Sequence, residues 1–332
     1  MVDYKQLHEN ASGPGDGRPK ALQVVEHEGL KNAWKGRVVV ITGCSSGIGI
    51  ETARAFAATG ATIIATARNL NKAREALQGI GSEGQLQLVQ VDQASLDSVR
   101  AGAKQILELA PKINVLIANA GIMATPYEKT KDGFESQFGV NHLSHFLLFE
   151  LLRPALQAAA KETPGFASRV VSVSSTGHRL GKPDFNNLNF DKPGSYDKWV
   201  GYGASKTANV WFANQIDRLF GSSKDGAIHA FSLQPGVISS GLVAHLPKEE
   251  TDGLLESLKN VPLKTPEQGA ATSTFAAAAK ELEGKGGKFL EDCQIIGPND
   301  GVDPMGAGYG VWAYSREDEA RLWQVSNTLV GL

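Results

Sequence analysis

The stretch VVVITGCSSGIGIETARAF, Val38 to Phe56, constrains this chain more than any other. An apolar, β-branched run ends at Thr42-Gly43, glycines return at Gly47 and Gly49, and helix-spaced positions follow until Gly60. This predicts a buried strand, a glycine-rich turn and a helix start. Such a junction is an anion site, because the first N–H groups of a helix point outward and its dipole favours negative charge. Glycine lets a pyrophosphate approach the backbone closely. The same glycines also suit a plain tight turn, and this stretch alone leaves both readings open. It has no lysine after its last glycine, which argues against a P-loop.

The rest of the chain repeats the theme. ATIIATAR, LQLVQVD, INVLIANAG, SRVVSVSS, AIHAFSLQPG and KFLEDCQIIG read as further strands separated by helical patterns. That alternation predicts a single α/β domain: a Rossmann-type, doubly wound parallel sheet of about seven strands flanked by helices. Residues 1–35 read as a flexible arm leading into a short helix over 21–34. Residues 36–300 form the expected catalytic domain, and 301–332 a tail with an amphipathic helix near 316–330. A long helix is expected over 131–159 and another from Tyr202.

Bulk properties exclude several classes. Net charge is −2 over 332 residues, with both signs mixed throughout, so no nucleic-acid partner is expected. The N-terminus is polar, without the apolar core of a signal peptide, and no apolar run reaches spanning length. A cytoplasmic protein with no membrane span is the expectation. The two cysteines, Cys44 and Cys293, form neither a metal motif nor a disulfide framework.

Three further features speak to chemistry. At the end of the second strand, ATARN carries Arg68 and no acid, which on charge grounds favours a 2′-phosphate over a ribose hydroxyl, hence NADP(H). Asp92 closes the third strand, placed either to pair with an adenine amino group or to cap the next helix. In YGASK, Tyr202 and Lys206 stand one helical turn apart, so an ammonium would lower a phenol whose ordinary pKa is about 10. Ser174-Ser175 ends one strand and Asn119-Ala120-Gly121 another, at the edge where open α/β sheets bind ligands. Asn141 is a polar residue inside an apolar helix and requires a partner, whereas His142 and His145 read as packing or surface residues.

In order along the chain these motifs resemble the short-chain dehydrogenase/reductase family, compact type. GFESQFGVNHLSHFLL and VSVSSTGHRLGKPDFNNLNF are most similar to its retinol dehydrogenase-like branch, and the C-terminal style is similar to fungal reductases. The resemblance implies Tyr202 as general acid/base and Lys206 as the ribose ligand that tunes it. It implies Ser175, rather than Ser174, as the residue orienting a carbonyl or alcohol, and Asn141 as carrier of a proton relay through water. For the cofactor it implies Thr42, Gly43, Ser45, Ser46, Gly47, Ile48 and Gly49 at the turn. Arg68, Asp92, Asn119, Ala120 and Gly121 join the adenosine side, with Pro235, Gly236, Ile238 and Ser240 near the nicotinamide.

The partner is then a small, hydrophobic carbonyl or alcohol substrate, walled by the loop 176–201 and a lid over 239–261. Helices 131–159 and 202–220 offer a homodimer surface that the arm and tail would obstruct. Two other readings compete. A catalytically silent nucleotide-binding scaffold would have lost Tyr202 or Lys206, and a sugar epimerase would show a different glycine spacing.

Overall fold

A computed structural model describes residues 2–238, 241–243, 246–301 and 306–332. Eight strands form one sheet: β1 Val38–Thr42, β2 Thr62–Ala67, β3 Leu86–Gln90, β4 Val115–Ala118, β5 Ser168–Val173, β6 Ile228–Gln234, β7 Lys288–Glu291 and β8 Gln294–Ile295. Their spatial order is β3-β2-β1-β4-β5-β6-β7-β8, and every pairing is parallel except the last. The order reverses between β1 and β4, and this switch opens a crevice at the strands' carboxyl ends.

Side-chain alternation explains the two covered faces. Val39 and Ile41 of β1 pack into one core with Ile63, Ala65, Ile117 and Val171, while Val40 packs into the other with Ile64, Leu116 and Val170. Each strand is apolar on both sides because helices cover both. One layer holds α2 (Ala21–His27), α3 (Ile48–Ala58) and α11 (Ala271–Ala278); the short α4 (Leu70–Ala76) follows β2. The other holds α5 (Leu96–Leu109), α7 (Ser144–Glu162), α8 (Lys198–Phe220) and α12 (Arg316–Val330). A full burial of one Val or Ile contributes about 1.5–3 kcal/mol, so the two-sided strands anchor the fold.

The structure departs from the sequence reading in four places. The expected seventh strand is a hairpin: Asp292 and Cys293 both take positive φ, 53° and 57°, and turn β7 back into antiparallel β8. The arm is folded, not flexible. Helix α1 (Tyr4–Glu9) seats Tyr4 edge-on against Phe275, and buried Arg18 pairs with Asp16 at 2.8 Å while bonding the carbonyls of Pro262 and Leu263. Helix α2 stops at His27, beyond which Gly29 turns the chain with a φ of 67°. The long central helix starts at α6 (Ser136–Phe138), and a π turn over Gly139–Leu143 leads into α7.

Helix α12 lies along α7 and α8, with Trp323 among Phe146, Phe149, Phe212 and Phe220. Its Glu319 accepts a hydrogen bond from Asn214 of α8 at 2.8 Å. The helix pair expected to offer a dimer face is therefore covered by the chain's own C-terminus. Among the described residues, no helix is long and apolar enough to cross a membrane.

Candidate active site

The glycine turn is built around Thr42. Its Oγ1 accepts the N–H groups of Asn119 and Ala120, each at 2.9 Å, and ties the ends of β1 and β4 together. Asn119 returns a bond from Nδ2 to the Thr42 carbonyl at 2.8 Å. The three glycines have separate reasons. Gly43 has a φ of 75°, and a Cβ there would meet Ala120 Cα at 2.8 Å; one on Gly49 would meet the Gly43 oxygen at 2.5 Å. Gly47 has a φ of 64° and nothing within 4 Å of a Cβ, so it faces open space.

Helix α3 starts at Ile48 without any side-chain cap. Its first N–H groups therefore lack the usual Ser, Thr, Asp or Asn partner. An uncapped helix start behind an open glycine turn fits a pyrophosphate, with half-buried Ser45 and exposed Ser46 on the turn. Arg68 stands exposed just past the end of β2, its guanidinium paired with no acid among the described residues. Asp92 accepts the N–H of Ala94 at 3.1 Å and faces Lys131 at 3.3 Å, while Ser95 caps α5. Of the two placements for Asp92, helix capping is excluded.

Across the crevice, Asn141, Ser175, Tyr202 and Lys206 come together. Ser174 is buried and donates to the Lys206 carbonyl at 2.8 Å, so it serves α8. Ser175 points the other way, accepting Gly177 N–H at 3.0 Å and lying near enough to the Tyr202 hydroxyl to favour its ionised form. Lys206 Nζ donates to the Val173 carbonyl at 3.0 Å and lies 5.7 Å from the Tyr202 ring centre. A Cβ on Gly121 would stand 3.2 Å from Asn141 Oδ1 and 3.3 Å from Lys206 Nζ, which places all three side by side.

The side chain of Asn141 is already engaged. Oδ1 accepts Ile122 N–H at 2.8 Å, and Nδ2 donates to the Ile122 carbonyl and to Ser205 Oγ, each at 2.9 Å. It pins the exit of β4 to α8. Burial, and not the ammonium, sets the shift of Tyr202, pushing the phenol up to about 12 and Lys206 down to about 8. Tyr202 is therefore protonated at neutral pH.

In the segment expected near the nicotinamide, Gly236 has a φ of 101° with the Lys264 stem against it, and Lys264 Nζ bonds the Pro235 carbonyl at 3.3 Å. Ile238 bridges to Lys264. Ser240 lies outside the described residues. Much of the loop 176–201 is fastened across to 125–135: Tyr196 donates to the Thr125 carbonyl at 2.8 Å and Tyr127 to the Asn189 carbonyl at 3.0 Å. Phe185 turns away from the crevice, stacking near Trp211 under the Arg321 guanidinium. Helix α9 (Lys248–Ser257) of the expected lid is joined to the start of α8 by Lys198–Glu250.

Of the two placements expected for His145, packing or surface, the structure gives packing. It is buried, with Nδ1 3.0 Å from the Asn141 carbonyl and Nε2 2.8 Å from Thr42 Oγ1 and 2.9 Å from Gln93. It connects the glycine turn to the π turn. The one available signal of that connection was a second histidine three residues after His142 in an apolar helix.

A doubly wound sheet with an uncapped helix at its switch point, facing a Ser-Tyr-Lys cluster, defines a nucleotide-binding oxidoreductase architecture. The comparisons agree: the short chain dehydrogenase family matches residues 37–187. The chain is 42% identical to the short-chain dehydrogenase/reductase prx1 of Penicillium rubens over 99% of this chain and 95% of the relative. It is 37% identical to human retinol dehydrogenase 11 over 90% and 86%. Among solved structures, an uncharacterised protein of Mycobacterium paratuberculosis aligns with a TM-score of 0.66 at 32% identity, covering 90% of this chain and 94% of that one. The Pseudomonas aeruginosa RhlG/NADP complex shares the fold, with a TM-score of 0.62 at 21% identity, covering 77% and 94%. The chain belongs to the short-chain dehydrogenase/reductase family.

Proposed function

We propose that this chain is an NADP(H)-dependent oxidoreductase that reduces a carbonyl of a small hydrophobic substrate, or oxidises the matching alcohol. The observation that carries it is the gathering of Ser175, Tyr202 and Lys206 at the sheet's carboxyl edge. The uncapped start of α3, the turn 43–49 and Asn119 would hold the dinucleotide, with Arg68 on its 2′-phosphate. When bound, NADPH supplies a hydride equivalent to the carbonyl carbon. Ser175 donates a hydrogen bond to the carbonyl oxygen, and the protonated Tyr202 delivers the proton that completes the alcohol. Lys206 holds ribose hydroxyls, and its charge favours proton loss from Tyr202 only as far as burial allows.

A protonated tyrosine at neutral pH supports the reductive direction. A hydrophobic substrate is supported by the retinol dehydrogenase relatives and by exposed Leu180 and Val200, which flank the Ser175 and Tyr202 elements. The test is NADPH oxidation with retinal, a steroid ketone and phenanthrenequinone. Tyr202→Phe and Ser175→Ala should each lower kcat by about 100-fold or more. Undiminished turnover in either defeats its assignment. Arg68→Ala should raise KM for NADPH about tenfold and leave NADH unchanged, since one charge-assisted contact contributes about 1.5–3 kcal/mol. Equal losses with both cofactors would overturn the preference.

A further inference from the structure

The loop that carries Ser175 is gripped from behind by a segment far away in sequence. His178 lies in the turn Thr176–Leu180 and is fully buried. Its Nε2 is 2.8 Å from the Gly310 N–H and its Nδ1 is 2.6 Å from the Ser175 carbonyl. A backbone N–H can only donate, so Nε2 is the acceptor and the ring proton sits on Nδ1, donated to Ser175. The His178 backbone N–H reaches the same carbonyl at 3.1 Å. Burial pushes His178 down to about 4, which keeps this neutral tautomer at working pH.

The grip is anchored at both ends. Trp312 Nε1 and Thr207 Oγ1 donate to the His178 carbonyl at 3.3 and 2.9 Å, and Thr207 adjoins Lys206. Gly308 N–H donates to buried Glu291 of β7 at 2.9 Å, and Arg179 donates to the Gly306 carbonyl at 2.8 Å. Trp211 Nε1 of α8 bonds the Trp312 carbonyl at 2.9 Å. On the other side of the loop, a Cβ on Gly177 would meet the Tyr202 ring at 2.6 Å. The serine loop is thus held between the Tyr202 ring and the C-terminal segment, with the His178 ring as the link.

We propose that His178 is a positioning residue: its Nδ1 proton, kept on that nitrogen by Gly310, holds the Ser175 backbone and so sets where the Ser175 hydroxyl meets a substrate oxygen. This rests on the role given to Ser175 above. Two substitutions separate the halves of the link. His178→Asn places an amide N–H near the Nδ1 position and keeps the bond to Ser175 while losing Gly310. His178→Gln places an amide oxygen near the Nε2 position and keeps Gly310 while losing Ser175.

The experiment measures NADPH oxidation by the full chain with phenanthrenequinone as probe, together with hydrogen exchange over 306–314. His178→Gln should lower kcat about tenfold or more, with KM for NADPH held within about twofold, as expected for a misplaced reacting group. His178→Asn should keep kcat within about threefold while the Gly310 amide exchanges faster. Equal kcat losses in both variants, or a loss confined to His178→Asn, would overturn the proposal, since a purely structural histidine predicts that pattern. Full activity in Ser175→Ala would instead sink the role of the serine.

Discussion

Tyr202 and Lys206 titrate in opposite directions from their ordinary values because both are buried on one turn of α8. The phenol at about 12 stays protonated throughout the working range, so Lys206, at about 8, is the group that changes charge there. Reductive turnover should hold through neutrality and decline as pH rises past about 8, when Lys206 loses its proton. A pH–rate profile checks this: Lys206→Met should be slower at every pH and lack that alkaline limb. A limb that persists in Lys206→Met belongs to another group. The spacing of YGASK made the pairing of these two residues legible, but burial is a tertiary quantity, and the sign of the tyrosine shift followed burial. Asn141 shows the same limit. Its need for partners was readable from an apolar helix, yet its engagement with Ile122 and Ser205 depends on which elements fold beside it.

Helix α8 and the serine loop meet without room to spare. A Cβ on Gly203 would stand 2.7 Å from Gly181 N and 2.9 Å from the Gly177 carbonyl, both backbone atoms that cannot swing aside. Gly203→Ala should therefore push the loop off α8, costing about 1–3 kcal/mol in stability by overpacking. The kcat loss should exceed the loss in helix content. Thermal melts and kinetics together test this, and an alanine variant with native kcat would show that the loop yields freely. Strand and helix existence followed periodicity well, and α12 begins and ends where the amphipathic pattern does. The β7–β8 hairpin did not show, because its turn puts Cys293 after Asp292, at a positive-φ position where Gly is the usual residue. The folded arm was equally hidden. Its hold comes from Arg18 reaching carbonyls some 245 residues away, a contact without local signature.

Over the whole molecule, three buried histidines tie the sheet, the π turn and the C-terminal segment together in their neutral forms. Burial lowers His142 to about 3 and both His145 and His178 to about 4, against 6.5 for the free side chain. The unfolded chain therefore takes up protons first as pH falls, and stability present above 6.5 is lost progressively down to about 3. Melting temperature should drop steeply across that window. His142→Phe, which suits the surrounding rings of Phe138, Phe146 and Phe212, should flatten the slope by about one proton. An unchanged slope would remove His142 from the account. Helix α12 carries a different consequence for the same assembly. A helix face covered by a second chain is uncovered by dilution, because that cover obeys mass action. Here the cover over α7 and α8 is covalently part of the chain, so its local concentration is set by the tether and stays the same however few molecules share the solution.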